Sequence, residues 1–201
     1  MHYLAHRVNS VQQLHETPPE YGVELDLRDF GDKLVLEHDP FEGGEEFRNY
    51  LPHYRHGTMM LNIKSEGIEP RVLQELAAAG TVRDYCFLDC SFPMIRRLVK
   101  AGEHRIAVRF SEHEPLAAAL ALQGEVEWVW VDCFTDLPLD DEAYAKLEGR
   151  FKICIVSPEL QGHPLTRIAE FCDRLSQYRV DAVCTKRPDL WASAFGRKNP
   201  S

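Results

Sequence analysis

The sequence lacks the long apolar runs that cross a lipid bilayer. A transmembrane helix needs about 20 consecutive, mostly apolar residues, and no segment approaches that length. The N-terminal stretch MHYLAHRVNS also has no apolar run of the kind found in secretory signals. We therefore expect no membrane span and a cytoplasmic protein.

Positive charge is scarce as well. The 201 residues include 23 Lys and Arg against 32 Asp and Glu, so the formal net charge is −9. A surface that binds nucleic acid needs a basic face to neutralise phosphates, and the sequence shows none. Nucleic acid is therefore excluded as the main partner, whereas a small anion held by local cations or by a metal remains compatible with the sequence.

The six cysteines include no Cys-x-x-Cys pair, which disfavours a structural zinc site. Four of them lie in or beside apolar runs: Cys86, Cys133, Cys154 and Cys184. Buried free thiols in a reducing compartment are the expected state, with disulfides as the alternative.

Short apolar runs rich in β-branched and aromatic residues alternate with helical patterns along the chain. The predicted strands cover residues 2–8, 22–27 with a hairpin-like continuation at 33–37, 58–64, 85–89, 105–111, 127–134, 151–157 and 181–186. The predicted helices cover residues 70–79, 93–101, 115–122, 141–147 and 165–178, and weaker candidates lie within 9–20 and 42–57. Gly80, Gly102 and Gly124 follow three of these helices, as C-terminal stops do.

Eight strands alternating with helices predict an α/β protein, specifically a compact (β/α)8 TIM barrel that forms a single domain over residues 1–201. An open doubly wound sheet is the alternative, but no Gly-x-Gly-x-x-Gly loop supports it. Residues 197–201 are expected to form a loose tail.

Polar side chains recur where the predicted strands end. Glu24, Asp26 and Arg28 alternate with apolar residues in GVELDLR. In a barrel of this kind the active site forms at the C-terminal strand ends, so these three charges are expected to lie in a concave site. Carboxylates two residues apart on one strand face lie about 7 Å apart, close enough for both to reach one divalent cation.

Other strand ends carry candidates for substrate binding. We predict that Arg28, Arg109, Asp132 and Trp130 contact the substrate. A structural ion pair is the alternative for Arg109 and Asp132, and core packing is the alternative for Trp130. Asp89 and Ser91 are expected to cap the helix that follows them.

Several motifs together resemble the glycerophosphodiester phosphodiesterase family of phospholipase-C-like phosphodiesterase barrels. The resemblance rests on AHRVN at 5–9, GVELDLR at 22–28, LEHDPF at 36–41, LDCSFP at 88–93 and DAVCTKRPDLW at 181–191. That family opens with His-Arg-Gly, continues with Glu-x-Asp at the second strand and places His-Asp shortly after. The order and spacing are similar over the first 40 residues.

The resemblance implies a metal-dependent phosphoric diester hydrolase that acts on a small glycerophosphodiester-like substrate. It implies that His6 and His38 are the general acid and base pair, that Arg7 holds phosphoryl oxygens and that Lys64 lies near the phosphate. It further implies that Glu24 and Asp26 bind a divalent metal, Mg2+ or Ca2+, with Asn62 as the third ligand. Imidazole suits both proton transfers because its unperturbed pKa is about 6.5.

The sequence departs from the family at Asn62, where the third-strand motif Glu-x-Lys would supply a carboxylate. An amide oxygen still ligates cations, but more weakly than a carboxylate. Two alternatives therefore stand beside hydrolysis. One is a lyase that forms a cyclic phosphate, or a transferase, on the same barrel; the other is a non-catalytic protein that binds a phosphate ligand and has a decayed metal site.

Overall fold

Every run that the sequence predicts to be a strand is a strand in the structure, a computed structural model that describes residues 1–196. The strands are β1 His2–Ala5, β2 Gly22–Phe30, β3 Lys33–Leu36, β4 Glu45–Glu46, β5 Met59–Ile63, β6 Tyr85–Leu88, β7 Ala107–Phe110, β8 Trp128–Val131, β9 Lys152–Val156 and β10 Ala182–Thr185. Only the two-residue β4 was not predicted. The predicted tail at 197–201 lies outside the described residues.

The five predicted helices are present with ends shifted by a few residues, and both weaker candidates contain short helices. The α-helices are α1 Val11–Glu16, α2 Phe47–Tyr50, α3 Glu69–Ala79, α4 Phe92–Lys100, α5 Leu116–Leu120, α6 Asp141–Leu147, α7 Arg167–Leu175 and α8 Pro188–Gly196. Two 3-10 turns, Leu51–His53 and Pro158–Gln161, follow α2 and β9. The crossovers are therefore short.

Local chemistry explains several of these boundaries. The Ser91 hydroxyl accepts a hydrogen bond from Met94 N at 3.3 Å, so Ser91 is the N-cap of α4, as predicted. Asp140 caps α6 in the same way through Ala143 N at 2.8 Å. Helix α3 ends at Gly80, whose φ of 64° lies in the left-handed region that suits glycine.

The chain divides into two compact units. The N-terminal unit comprises Leu4–Ile106, and the C-terminal unit comprises Met1–Tyr3 with Ala107–Ser201, of which residues up to 196 are described. The prediction that residues 1–201 form a single domain stays a prediction.

In the N-terminal unit, parallel pairing runs from the end of β1 through β2 and β5 to β6. Strand β3 folds back antiparallel on β2 as the predicted hairpin, and β4 pairs with β3. The register between β2 and β5 sets Glu24 opposite Met60 and Asp26 opposite Asn62. Since partners in register point to the same face of a sheet, Glu24, Asp26 and Asn62 share one face.

In the C-terminal unit, four parallel strands lie in the order β10, β9, β8 and β7. These strands are short and apolar, as expected for parallel strands that are covered on both sides. Trp191 of α8 is fully buried among the core residues. Helix α7 contributes Ile168, Phe171, Cys172 and Leu175 to the same core.

The cysteines are free thiols, and five of the six are buried. The expectation of buried free thiols is therefore confirmed for all but Cys90, which is half-buried. Within residues 1–196, no helix is both long and apolar enough to span a membrane.

Candidate active site

Two buried carboxylates lie on one face of β2, at the third and fifth of its nine residues. Glu24 is 1% exposed and Asp26 is fully buried. A buried carboxylate is costly unless hydrogen bonds or opposite charges compensate it. The groups that surround this pair therefore define the site.

Arg7 compensates both carboxylates from the loop that follows β1. Its backbone N–H donates to Glu24 Oε2 at 2.9 Å, and its Nε lies 3.6 Å from Asp26 Oδ2. The φ of Arg7 is 55°, a left-handed conformation that non-glycine residues rarely adopt. Such strain costs about 1–3 kcal/mol and is typical of functional sites.

Asp26 is held further by Asn9 and Lys64. Asn9 Nδ2 donates to Asp26 Oδ2 at 3.0 Å, while Asp26 N donates to Asn9 Oδ1 at 2.9 Å. Lys64 Nζ lies 3.5 Å from Asp26 Oδ1 and 3.7 Å from Asp89 Oδ2. Sequence reasoning placed Asn9 inside the motif AHRVN but assigned it no role; the register that brings it to Asp26 is tertiary.

Glu24 has weaker compensation than Asp26. Asn62 Nδ2 donates to Glu24 Oε1 at 2.8 Å, and His6 Nε2 lies 3.8 Å from Glu24 Oε2. Burial, followed by repulsion from Asp26, raises the pKa of Glu24 to about 7, although the hydrogen bonds from Asn62 and Arg7 and the charge of Lys64 oppose this rise. The positive charge near Glu24 is therefore too small to offset its burial and its repulsion from Asp26.

His38 lies beyond β3 in a small hydrogen-bonded turn. Its Nδ1 is 2.7 Å from Asp39 Oδ1, and Glu37 Oε1 accepts hydrogen bonds from His38 N at 2.8 Å and Asp39 N at 3.1 Å. The hydrogen bond with His38 lowers the pKa of Asp39. Burial opposes this effect, and the charges of His38, Arg7 and Arg28 lower the pKa further. The His38–Asp39 pair thus lies within electrostatic reach of both arginines.

Arg28 is buried at the end of the same strand face, with 8% exposure. Its Nη2 donates weakly to the Lys64 carbonyl at 3.4 Å, and its Nε has no hydrogen-bond partner among residues 1–196. A buried guanidinium N–H without a partner is costly. Arg28 is therefore suited to accept an anionic ligand.

The donor set fits a divalent cation. Asp26 Oδ1 and Asn62 Oδ1 are both buried, and within the described chain neither accepts a hydrogen bond. Together with Glu24 they offer carboxylate and amide oxygens, the ligands that Mg2+ and Ca2+ prefer. Asn62 supplies the third oxygen as an amide, and within residues 1–196 no group of three or more His, Cys, Asp or Glu side chains is placed to hold a metal ion.

Two solved structures have the same fold as this chain. A protein from Agrobacterium tumefaciens designated a glycerophosphoryl diester phosphodiesterase matches with a TM-score of 0.74 and 14% identity over 98% of both chains. A glycerophosphoryl diester phosphodiesterase from Parabacteroides distasonis matches with a TM-score of 0.70 and 13% identity over 99% of this chain and 87% of that one. The chain has the glycerophosphodiester phosphodiesterase fold.

The predicted (β/α)8 TIM-barrel class is thereby confirmed, and the open doubly wound sheet is wrong. No family profile matches the chain, and no curated protein matches it. The likeness at 13–14% identity shows the fold. At this identity, the likeness does not show that this chain has the activity of the two proteins.

In the C-terminal unit of this glycerophosphodiester phosphodiesterase fold, Arg109 and Asp132 meet across β7 and β8. Arg109 Nη1 lies 2.6 Å from Asp132 Oδ2, and Asp132 Oδ1 accepts from Gln161 Nε2 at 2.6 Å and Cys133 N at 2.9 Å. Asp132 is 2% exposed, whereas the Arg109 side chain is 26% exposed. The predicted substrate residue Trp130 is 4% exposed.

Glu159 organises the other polar strand ends of the same unit. Its Oε1 accepts from Thr185 Oγ1 at 2.6 Å and from Lys186 N at 3.0 Å, and its Oε2 accepts from Ser157. Trp191 Nε1 donates to Ser157 Oγ at 2.7 Å. The structure joins Ser157, Glu159 and Thr185 into one hydrogen-bond network anchored on a buried tryptophan.

Proposed function

We propose that this protein is a metal-dependent phosphodiesterase that hydrolyses a small glycerophosphodiester-like substrate by histidine acid and base chemistry. One observation carries the proposal. The buried carboxylates of Glu24 and Asp26 share a strand face with Asn62, and the cations of Arg7 and Lys64 lie within 3.6 Å of Asp26. This cluster lies within the fold shared with proteins designated glycerophosphoryl diester phosphodiesterases.

The proposed cofactor is a divalent cation, Mg2+ or Ca2+, held by Glu24, Asp26 and Asn62. When bound, it supplies positive charge that stabilises the negative charge developing on the phosphoryl group. The raised pKa of Glu24 and the two buried oxygens without hydrogen bonds, on Asp26 and Asn62, support a cation at this position.

Arg7, Lys64 and Arg28 are assigned to the phosphodiester anion. A phosphodiester offers an enzyme mainly its charge, so binding and rate both depend on fixed cations. Asp26 and Asp89 hold the Lys64 ammonium. Arg28 has a buried Nε–H that a phosphoryl oxygen would satisfy.

His38 is assigned as the general base. A hydrogen bond from Nδ1–H to Asp39 leaves the Nε2 lone pair to take a proton from the attacking water. Asp39 fixes this tautomer and stabilises the imidazolium that forms, as the aspartate does in a catalytic triad.

His6 is assigned as the general acid that returns a proton to the leaving oxygen. Its Nε2 lies 3.8 Å from the Glu24 carboxylate. This contact holds the imidazole against the metal-binding strand. A proton donated to the leaving oxygen removes the charge that would otherwise develop on the alcohol product.

The same groups also serve an internal attack by a substrate hydroxyl, so a cyclic-phosphate lyase or a transferase is the alternative. Product analysis separates these reactions, because hydrolysis ends in an acyclic monoester and the lyase ends in a cyclic phosphate. A non-catalytic phosphate-binding protein is the remaining alternative. It predicts neither turnover nor stabilisation by divalent cations that depends on Glu24.

The proposed setting is the reducing cytoplasm, with a small phosphodiester as the only assigned partner. The free thiols support this location, since five buried cysteines form no disulfide. The formal charge of −9 argues against nucleic acid as the substrate.

The proposal is tested by thermal unfolding and turnover of a glycerophosphodiester with chelator, Mg2+ or Ca2+. A cation at about 100 times its Kd stabilises the fold by about 2.7 kcal/mol, and this shift should vanish in Glu24→Gln together with activity. The matched control is Glu20→Gln, which changes an exposed carboxylate outside the site. Full activity in Glu24→Gln would overturn the assignment.

A further inference from the structure

A cavity of about 460 Å³ lies in the N-terminal unit, at the opposite end of β5 and β6 from Asn62 and Asp89. It is formed where the chain enters these strands, by residues 54–57 before β5 and residues 80–84 before β6. Its volume is within the range of small-molecule sites. None of the residues assigned to phosphodiester chemistry lines it.

Two arginines line this cavity, and neither has a carboxylate partner within residues 1–196. Arg55 Nη1 donates to the neighbouring Tyr54 carbonyl, at 2.6 Å. Arg83 makes no ion pair or side-chain hydrogen bond with any residue of the described chain. In a chain with nine more formal negative charges than positive ones, carboxylates are abundant. The two guanidinium groups are not neutralised by carboxylates, so this concave surface is locally positive on a protein whose net charge is negative.

Contacts within the fold hold Tyr54, His56 and Gly57 of the cavity lining in place. His56 Nε2 forms a hydrogen bond with the Thr17 carbonyl oxygen at 2.9 Å. The His56 ring packs against the ring of the buried Tyr54, with 5.5 Å between the ring centroids. The Tyr54 hydroxyl donates to Gly57 O at 2.7 Å. A ligand would therefore meet a preformed surface, which lowers the entropy lost on binding.

Asp84 adds one acceptor to the same cavity. Its Oδ2 accepts from Thr58 Oγ1 at 2.5 Å, and no hydrogen bond to its Oδ1 is seen in residues 1–196. With Arg55 and Arg83 the formal charge of the cavity is positive by one. These three side chains match a ligand that carries both a phosphate and a hydroxyl group. The two guanidinium groups would bind the phosphate, and the aspartate would accept a hydrogen bond from the hydroxyl.

We propose that this cavity is a second ligand site that takes a small phosphate monoester bearing a hydroxyl group. Arg55 and Arg83 bind the phosphate oxygens, and Asp84 accepts the hydroxyl proton in a hydrogen bond. The site is separate in sequence and in position from the phosphodiester chemistry at the other end of the strands. It stands whether or not that chemistry is correct.

The test is a titration of the full chain with inorganic phosphate at constant ionic strength, followed by backbone amide NMR. We expect saturable chemical-shift changes at the amides of Gly57, Thr81 and Arg83. In Arg83→Gln the Kd for phosphate should rise about tenfold, the loss of affinity expected when a charged hydrogen bond is removed. The matched control is Arg179→Gln, an exposed arginine of the C-terminal unit with no side-chain ion pair among the described residues. This control should bind as the wild type does.

Two results would overturn the site. One is the absence of saturable shifts at these amides. The other is a phosphate Kd that is the same in Arg83→Gln as in the wild type. This result would show that the chemical-shift changes at the cavity amides come from non-specific effects of the added phosphate. Amides of Asp26 and Lys64 report phosphate at the candidate active site separately, so the two proposals fail independently. Because Arg83 is exposed, its variant should unfold at the wild-type temperature, which thermal unfolding checks.

Discussion

Asn62 donates its side-chain N–H to Glu24 Oε1 at 2.8 Å, so an amide stabilises a buried carboxylate at the position where the family that the sequence resembles has a third carboxylate. The bond orients the Asn62 carbonyl oxygen away from Glu24, and that oxygen accepts no hydrogen bond within residues 1–196. Asn62 therefore serves two purposes in the proposed site. It limits the repulsion between buried charges, and it keeps one neutral oxygen for a cation.

Asn62→Asp should tighten the binding of divalent cations by about tenfold, or about 1.4 kcal/mol, because it restores a charged ligand. Without a cation it should destabilise the fold by about 3 kcal/mol, since a third buried negative charge replaces the donor to Glu24. Calorimetric titration and thermal unfolding with chelator measure the two effects. The companion variant Asn62→Ala should lose cation affinity; equal affinity in all three proteins would exclude Asn62 as a ligand.

His38→Ala should lower kcat by about 100-fold to 10,000-fold, the range expected for loss of a general acid or base. Its effect on stability should be small, because the His38 side chain is 38% exposed. Asp39→Asn should lower kcat less and shift the pH profile, since only the orientation of the imidazole changes. A normal rate in His38→Ala would remove His38 from the mechanism.

Asp132→Ala should destabilise the C-terminal unit by about 3 kcal/mol, because it leaves the Arg109 guanidinium, Gln161 and Cys133 N without their shared acceptor. Arg109→Gln separates the two predicted roles of the pair. A substrate contact predicts a higher KM with nearly unchanged stability, whereas a purely structural ion pair predicts lower stability and the wild-type KM. Thermal unfolding and steady-state kinetics on the same preparations decide between them.

Low pH should destabilise the fold at the loop that follows β8, because the Glu112 carboxylate accepts hydrogen bonds from Thr135 and Asp136 in that loop. Partial burial alone would raise the pKa of Glu112, but hydrogen bonds from Asp136 N and from the Thr135 hydroxyl and backbone lower it to about 2. A carboxyl with a lower pKa in the folded state stabilises the fold above its unfolded pKa, and this stabilisation is lost as the pH falls from about 4.5 toward 2.

Glu112→Gln should therefore be less stable than the wild type at pH 7, and the difference should shrink as the pH approaches 2. Denaturant unfolding across this range measures the difference. The control is Glu42→Gln, which changes an exposed carboxylate outside this loop. A difference that is constant with pH would show that the carboxylate charge plays no part.

The sequence by itself determined the order of strands and helices, because β-branched runs, glycine stops and capping residues are local signals. Ser91 and Gly80 behave as their sequence positions predict. It also determined the motif that resembles a known family, since Glu24, Asp26 and His38 are spaced along one hairpin.

Tertiary structure decided how these charges are compensated. Asn9 reaches Asp26 and Asn62 pairs with Glu24 only because separate strands come together. Arg7 adopts its left-handed φ next to the same carboxylates. Likewise, the network around Glu159 and the cavity beside Arg83 join residues that are distant in sequence. Hydrogen bonds and electrostatics act over a few ångströms, so partners separated along the chain become visible only once the strands are packed.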